Sequence, residues 1–330
     1  MPPRSLTSVH PAARRAAGLA LGAALAAPVL SPRTAAAGSG PWVISPQDWS
    51  LYAGVESQRI SELALKDGLG DPSVVQVDDG IETTTAQAIL SYGLRKRVEL
   101  ELGLPRSRVD ANRPGGDVCA SLGAKACATT KGFGVVSGRG KVLLADELLG
   151  SPVSVAVGAE LRLGQHTGPT RARITNLGEG TTDLGGFVAV GRSGGLKDGS
   201  WSAHLDAGWR YRSSNLGADA DPLPGAEIVG EAELFAGTKA WWSLGPTVSY
   251  WERPEGVDFG EGDLTDIDRF GALNGRAVRV GGKLLLRSPS RTTLVLSGSQ
   301  TMVARNNPRV LSYGAGLAFY PERRAPRRGD

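Results

Sequence analysis

The sequence predicts an all-β chain: a closed, antiparallel, up-and-down transmembrane β-barrel of about twelve strands. Three observations predict it. An alternation of apolar and polar residues recurs from Trp49 to Phe319, the joins between its segments are alternately short and long, and a secretory leader precedes the first of them. The alternation is plainest from Trp201 to Arg212. Odd positions there read Trp, Ala, Leu, Ala, Trp, Tyr and even positions read Ser, His, Asp, Gly, Arg, Arg. Successive side chains of a strand point to opposite faces, so this segment has one apolar and one charged face. Rings near both ends of the apolar face, with small aliphatics between, suit a strand that crosses a bilayer.

The leader comes first in the chain. Arg14 and Arg15 precede an apolar stretch from Ala16 to Leu30, and the small-residue site Ala35-Ala36-Ala37 follows. This is the layout of a signal peptide over residues 1–37. The 15-residue apolar stretch, rich in Ala and Gly, is short of the ~20 residues that a spanning helix needs. Removing the leader takes away Arg4, Arg14, Arg15 and Arg33 and no acid, so the formal charge of +4 falls to zero. The basic balance therefore implies no nucleic-acid partner. A barrel over 38–322 follows, then a basic tail over 323–330 that carries Arg323, Arg324, Arg327 and Arg328.

The first strand turns Trp49, Leu51, Ala53 and Val55 outward and Ser50, Tyr52, Gly54, Glu56 and Gln58 inward. The second shows Thr84, Ala86, Ala88, Leu90 and Tyr92 outward, and turns at Leu94-Arg95-Lys96-Arg97 into a third with Val98, Leu100, Leu102 and Leu104 outward. A fourth runs from about Gly134 to Leu144. The fifth exposes Val153, Val155, Val157, Ala159, Leu161 and Leu163. The sixth, about Thr182 to Arg192, has a weaker pattern that assigns no face. The seventh is the Trp201 segment, and the eighth sets its glutamates against Ala226, Ile228, Ala232 and Leu234. The ninth exposes Trp242, Leu244, Val248 and Tyr250, the tenth Val278, Val280, Leu284 and Leu286, and the eleventh Leu294, Leu296 and Met302. The last exposes Leu311, Tyr313, Ala315, Leu317 and Phe319 and ends before Pro321.

Joins 2–3, 4–5, 6–7, 8–9 and 10–11 read as tight turns, for example Ser288-Pro289-Ser290 and the Gly194-Gly195 stretch. Joins 1–2, 3–4, 5–6, 7–8 and 9–10 read as long polar loops, and join 11–12 alone is short on the long side. Short turns at one end and long loops at the other is the layout of an outer-membrane barrel. An even strand number also closes the sheet without an unpaired edge, which in lipid costs several kcal/mol per group.

Trp49 to Glu56, Ala88 to Leu100 and Leu311 to Phe319 together resemble Gram-negative outer-membrane β-barrels, and among them the family linked to phenol meta-pathway degradation. The resemblance implies an outer-membrane location, export through the periplasm and assembly by the barrel insertion machinery. It further implies surroundings of lipid and lipopolysaccharide, and often passage of small molecules. One departure is that the chain continues past its last aromatic strand to Asp330.

The candidate functional residues are the inward charges. They are Glu99, Glu101, Arg139, Lys141, Glu160, Arg162, His204, Asp206, Arg210, Arg212, Glu227, Glu231, Glu233, Arg279, Lys283 and Arg287. Acidic third and eighth strands facing basic fourth, seventh and tenth strands form opposed charge rows, which orient solutes in a water-filled pore. Inward Gly93, Gly103, Gly158, Gly208, Gly245, Gly281, Gly314 and Gly316 leave space for such a pore. The other reading is a lumen packed with cross-strand ion pairs, in a structural or surface-interaction barrel that binds through its long loops. Catalysis is not expected. Ser202, His204 and Asp206 share a face, but one strand cannot aim three neighbours at a single reacting atom, and His166 sits in a loop with no evident partner.

Cys119 and Cys127, close in sequence in an exported chain, read as a disulfide worth roughly 2–3 kcal/mol. No C-x-x-C spacing marks a redox or metal site, so no metal and no cofactor is expected. The acidic run from Glu255 to Asp268 reads as a solvated loop.

Overall fold

The computed structural model describes residues 40–66, 72–110, 129–164, 181–214, 226–238, 241–255 and 274–320. The alternating segments are strands: β1 (Trp49–Lys66), β2 (Pro72–Arg95), β3 (Val98–Asp110), a short β4 (Thr130–Phe133), β5 (Val136–Ala145), β6 (Ser154–Leu163) and β7 (Thr181–Leu196). The chain continues through β8 (Gly199–Ser214), β9 (Glu227–Gly237), β10 (Trp242–Arg253), β11 (Gly275–Arg287), β12 (Thr292–Arg305) and β13 (Asn307–Phe319). Apart from β4, each strand pairs antiparallel with its sequence neighbours. β13 pairs with β1 (Gly316 opposite Gly54) and β3 with β5 (Glu99 opposite Lys141), which closes a ring of twelve. β4 is an extra strand that pairs with β3 at residues 106–109, beyond the point where β5 leaves it.

The outward faces form one apolar belt. Leu51, Leu90, Leu102, Leu161, Leu205, Leu244 and Leu317 are all exposed, and rings stand near its edges, with Trp49 and Phe319 5.7 Å apart at one and Trp209 and Tyr211 at the other. The inward faces carry nearly all the buried polar and charged groups.

β7, whose face the sequence leaves open, turns Thr181, Asp183 and Ala189 inward and Leu184 and Val188 outward. Glycines at 185, 186 and 191 blur that contrast in the sequence. The β7–β8 turn is not at Gly194-Gly195. Those residues pair with Trp201 and Ser200 inside the hairpin, and Lys197-Asp198 makes the turn, with Leu196 opposite Gly199. Nor is the β1–β2 join a long loop. The two strands run on past a bulge at Ile60/Glu62, with Lys66 opposite Pro72, as a hairpin that prolongs the wall. β12 and β13 meet through Asn306 alone, at φ 45°, a left-handed conformation that Asn tolerates better than most residues.

The β2–β3, β5–β6, β7–β8, β9–β10 and β11–β12 joins define the short-turn end, where β1 begins and β13 ends. The leader, the tail 323–330, Cys119, Cys127, His166 and the acidic run beyond Glu255 lie outside the described residues.

Candidate functional site

The lumen is built in tiers. At its long-loop end, Glu227 opens β9 fully buried, with Arg210 Nη1 at 3.1 Å, Arg253 Nη2 at 3.0 Å and Arg212 Nη1 at 3.4 Å. Arg210 also faces Glu160 at 3.6 Å. Arg162 and Arg212 flank Asp183 at 3.9 and 3.5 Å, and Arg212 donates to Thr181 Oγ1 at 3.1 Å.

In the middle tier, Arg139 of β5 lies 3.3 Å from Asp206 of β8, and its guanidinium sits 3.4 Å above the centre of the Phe187 ring. Lys283 of β11 is buried and paired with Glu233 and, at 3.4 Å, with Glu231, both of β9. Glu56 accepts from the Gln58 amide at 2.7 Å, Arg279 is buried, and Glu101 is half-buried. Near the short turns Arg287 donates to Ser243 Oγ at 2.7 Å.

Opposed charge rows are therefore not what the wall presents. Several pairs skip a strand or more, and the rows are cross-linked into ion pairs. Long Arg and Lys side chains bridge that distance, and a buried charge left alone is costly. His204 faces the segment that precedes β1. The Trp42 ring meets it edge-on at 5.9 Å between ring centres, and its Nε2 lies 3.7 Å from a Glu233 carboxylate oxygen.

The short-turn mouth holds what sequence reasoning missed. Residues 40–44, just before the barrel, cross this mouth as a strap from the β2–β3 wall to the β7–β8 wall. Lys141 Nζ donates to the carbonyl oxygens of Trp42 at 2.6 Å and Gly40 at 3.2 Å, and the Ile44 N–H donates to Glu99 Oε2 at 2.7 Å. Glu99 and Lys141 are themselves 3.3 Å apart and almost wholly buried. Pro41 is fully buried, and Val43 packs on an apolar patch of Leu143, Ala156 and Ala189.

Two glycines make room for the strap. A Cβ on Gly93 would lie 2.1 Å from the Ser45 carbonyl oxygen, and one on Gly191 would lie 2.9 Å from Pro41 Cδ. The glycines read as open space are thus partly filled, at Gly93 by the segment that carries the strap, at Gly158 by the Phe187 ring and at Gly316 by Tyr52, whose ring also occupies the space at Gly54. Tyr52 belongs to an apolar cluster with Phe235, Leu285, Val295 and Ala318 that fills another part of the interior.

A turn outside the barrel wall completes the mouth. Residues Glu147–Leu149 form a 3₁₀ turn capped by the Asp146 side chain, which accepts from Leu148 N at 2.9 Å. The Glu147 carboxylate accepts from the Trp42 indole at 3.2 Å, from Ser193 Oγ at 2.6 Å and from Ser193 N at 2.9 Å. Burial alone would raise this carboxyl, but those hydrogen bonds and the nearby Arg192 outweigh it and hold the group below its ordinary value.

Towards the long loops a cavity of about 170 Å³ remains, lined by Arg139, Glu160, Phe187, Asp206, Arg210 and Glu231 among others. Charged groups and an aromatic face meet there, an arrangement suited to a small amphipathic solute.

Asp183, Phe187 and Arg253 escaped the sequence reading along with the strap and Glu147. The one available signal for the strap is Pro41-Trp42-Val43-Ile44, an apolar run placed before any strand, which a folded chain buries somewhere.

No family model matches the chain, and no curated protein matches it either. Among solved structures it is similar to an outer membrane channel from Pseudomonas putida F1, with a TM-score of 0.58 at 14% identity over 86% of this chain and 99% of that one. That likeness establishes a shared fold. The NanC porin overlaps more loosely, with a TM-score of 0.46 at 10% identity over 82% and 98% of the two chains. The translocator domain of the autotransporter NalP from Neisseria meningitidis gives 0.41 at 12% identity over 83% and 89%.

Proposed function

We propose that this protein is an outer-membrane channel that takes up small solutes through its charged lumen, and that it is not an enzyme. The observation that carries the reading is a cavity lined by ion-paired side chains inside a closed wall whose outer face is a continuous apolar belt. Soluble monomers rarely expose contiguous apolar patches beyond a few hundred Å². A belt around the whole cylinder is at home in lipid. The short-turn end then faces the periplasm, the leader directs export, and the barrel insertion machinery and lipopolysaccharide are its partners. The sixteen inward charges named from the sequence act as the lumen lining.

Two measurements test this. Leu205→Arg, at the middle of the belt, costs about 2–4 kcal/mol of stability in bilayers if that face meets lipid. Unchanged stability removes the membrane reading. In planar bilayers the protein gives discrete conductance steps, and Glu231→Lys or Arg279→Glu alters their size or ion selectivity. Silence from the intact chain and also from a chain without residues 40–44 overturns the channel.

The strap favours a second reading, a closed barrel that binds through its long loops. Conductance from the strapless chain separates the two.

A further inference from the structure

The strap is held in an unusual way. Trp42 and Ile44 alternate along the segment, so their main-chain polar groups share one edge, and Gly40, at φ 73°, bends its carbonyl towards the same side. That edge is read by two side chains of the wall. Lys141 donates to the two carbonyls and Glu99 accepts from the one N–H. The Trp42 and Ile44 contacts do not depend on the side chains of those residues, while the left-handed backbone at position 40 favours glycine.

The opposite strap positions, Pro41 and Val43, enter shallow recesses. One is opened by Gly191, and the other is floored by Leu143, Ala156 and Ala189. Glu99 and Lys141 stand opposite each other in the β3–β5 ladder at 3.3 Å, so each keeps a partner when the strap leaves. Exchange of one peptide for another therefore strands no buried charge.

We propose that this mouth is a binding site for the main chain of an extended oligopeptide, filled in cis by residues 40–44 and able to take a peptide of four or five residues in trans. Main-chain hydrogen bonds supply affinity, and the two recesses prefer Pro and small or β-branched side chains at alternate positions, the logic of strand addition carried by side chains. The proposal names a substrate class for the channel and so rests on that reading, but binding is measured without conductance.

The test is a fluorescence-anisotropy titration in detergent with labelled Gly-Pro-Trp-Val-Ile-amide. It uses the mature chain and a mature chain that lacks residues 40–44, each first shown folded by heat-modifiable gel mobility and strand circular dichroism. If the shortened chain fails to fold, the full-length Trp42→Gly/Ile44→Pro variant, which loses the Trp42–Glu147 contact and the N–H that Glu99 accepts, replaces it. The strapless barrel binds saturably, and the intact barrel binds at least about tenfold more weakly because its own strap competes. Lys141→Met or Glu99→Gln weakens binding about tenfold or more, as does methylation of the peptide's isoleucine nitrogen.

Absence of saturable binding to a folded strapless barrel overturns the proposal. So does equal binding of the N-methylated peptide, which would leave only apolar contacts. Strapless barrels that bind peptide without conducting would keep this site and sink the channel, whereas conduction without binding would do the reverse.

Discussion

The two ends of the lumen use the same side-chain chemistry for opposite purposes. At the long-loop end Glu227 is enclosed by Arg210, Arg212 and Arg253, all from the two adjoining strands, so the charges brace the wall against itself. At the short-turn end Glu99 and Lys141 also pair across neighbouring strands, yet both reach past each other to a segment that is not part of the wall. A brace that loses Glu227 leaves three buried guanidiniums to share the carboxylates of Glu160 and Asp183. A hold that loses the strap leaves an intact ion pair. One end is built to stay and the other to let go.

The largest test of that contrast is Glu227→Gln. Removing a carboxylate that is fully buried among three guanidiniums costs about 3–5 kcal/mol, read as a lower denaturant midpoint in detergent. A loss below about 1 kcal/mol would show that the arginines repair themselves, and that the two ends do not differ in kind.

Gly93→Val is the matching change at the other end. Its Cβ would land 2.1 Å from Ser45 O and 2.6 Å from Ile44 O, so the strap must move, while the β2 pairings to β1 and β3 continue. The expected result is a conductance at least several-fold above the native value with stability within about 1 kcal/mol. A stability loss as large as that of Glu227→Gln, with conductance unchanged, would make the strap a structural part of the wall.

The contrast also marks what the sequence made legible. Strand faces were readable because side chains alternate with period two, and a closed wall with lipid on one side and charge on the other keeps that period for ten residues at a time. Glu99, Lys141, Glu227 and Lys283 fall inward on parity alone. Their partners do not follow from parity. Arg139 finds Asp206 from three strands away, and Lys283 passes over β10 to reach Glu231 and Glu233. Such pairings depend on lumen width, which no strand's pattern encodes. β7 was opaque for a different reason, since its glycines carry no polarity, and so Asp183 and Phe187 went unseen. The strap was hidden because its contacts are remote in sequence and follow no strand pairing, with Trp42 meeting Glu147 across 105 positions and Lys141 across 99.

The smallest predicted effect concerns the Glu147 latch. Its carboxyl sits below the ordinary value because Ser193 and Trp42 donate to the ionised form. A group depressed in the closed state favours closure above its unperturbed value of about 4.3 and gives that up only as pH falls through the lower, closed-state value. Strap closure therefore does not change between pH 8 and about pH 5.5, and loosens only below roughly pH 4. Conductance and Trp42 fluorescence across that range check the sign. Glu147→Gln, which keeps one acceptor oxygen but no charge, loosens the strap slightly at every pH and flattens the acid limb. An opening between pH 5 and 7 would instead place the controlling proton deeper in the mouth than Glu147, where His204 meets Trp42 edge-on and lies beside Glu233. The hold on the strap would then belong to the lumen wall and not to the turn outside it.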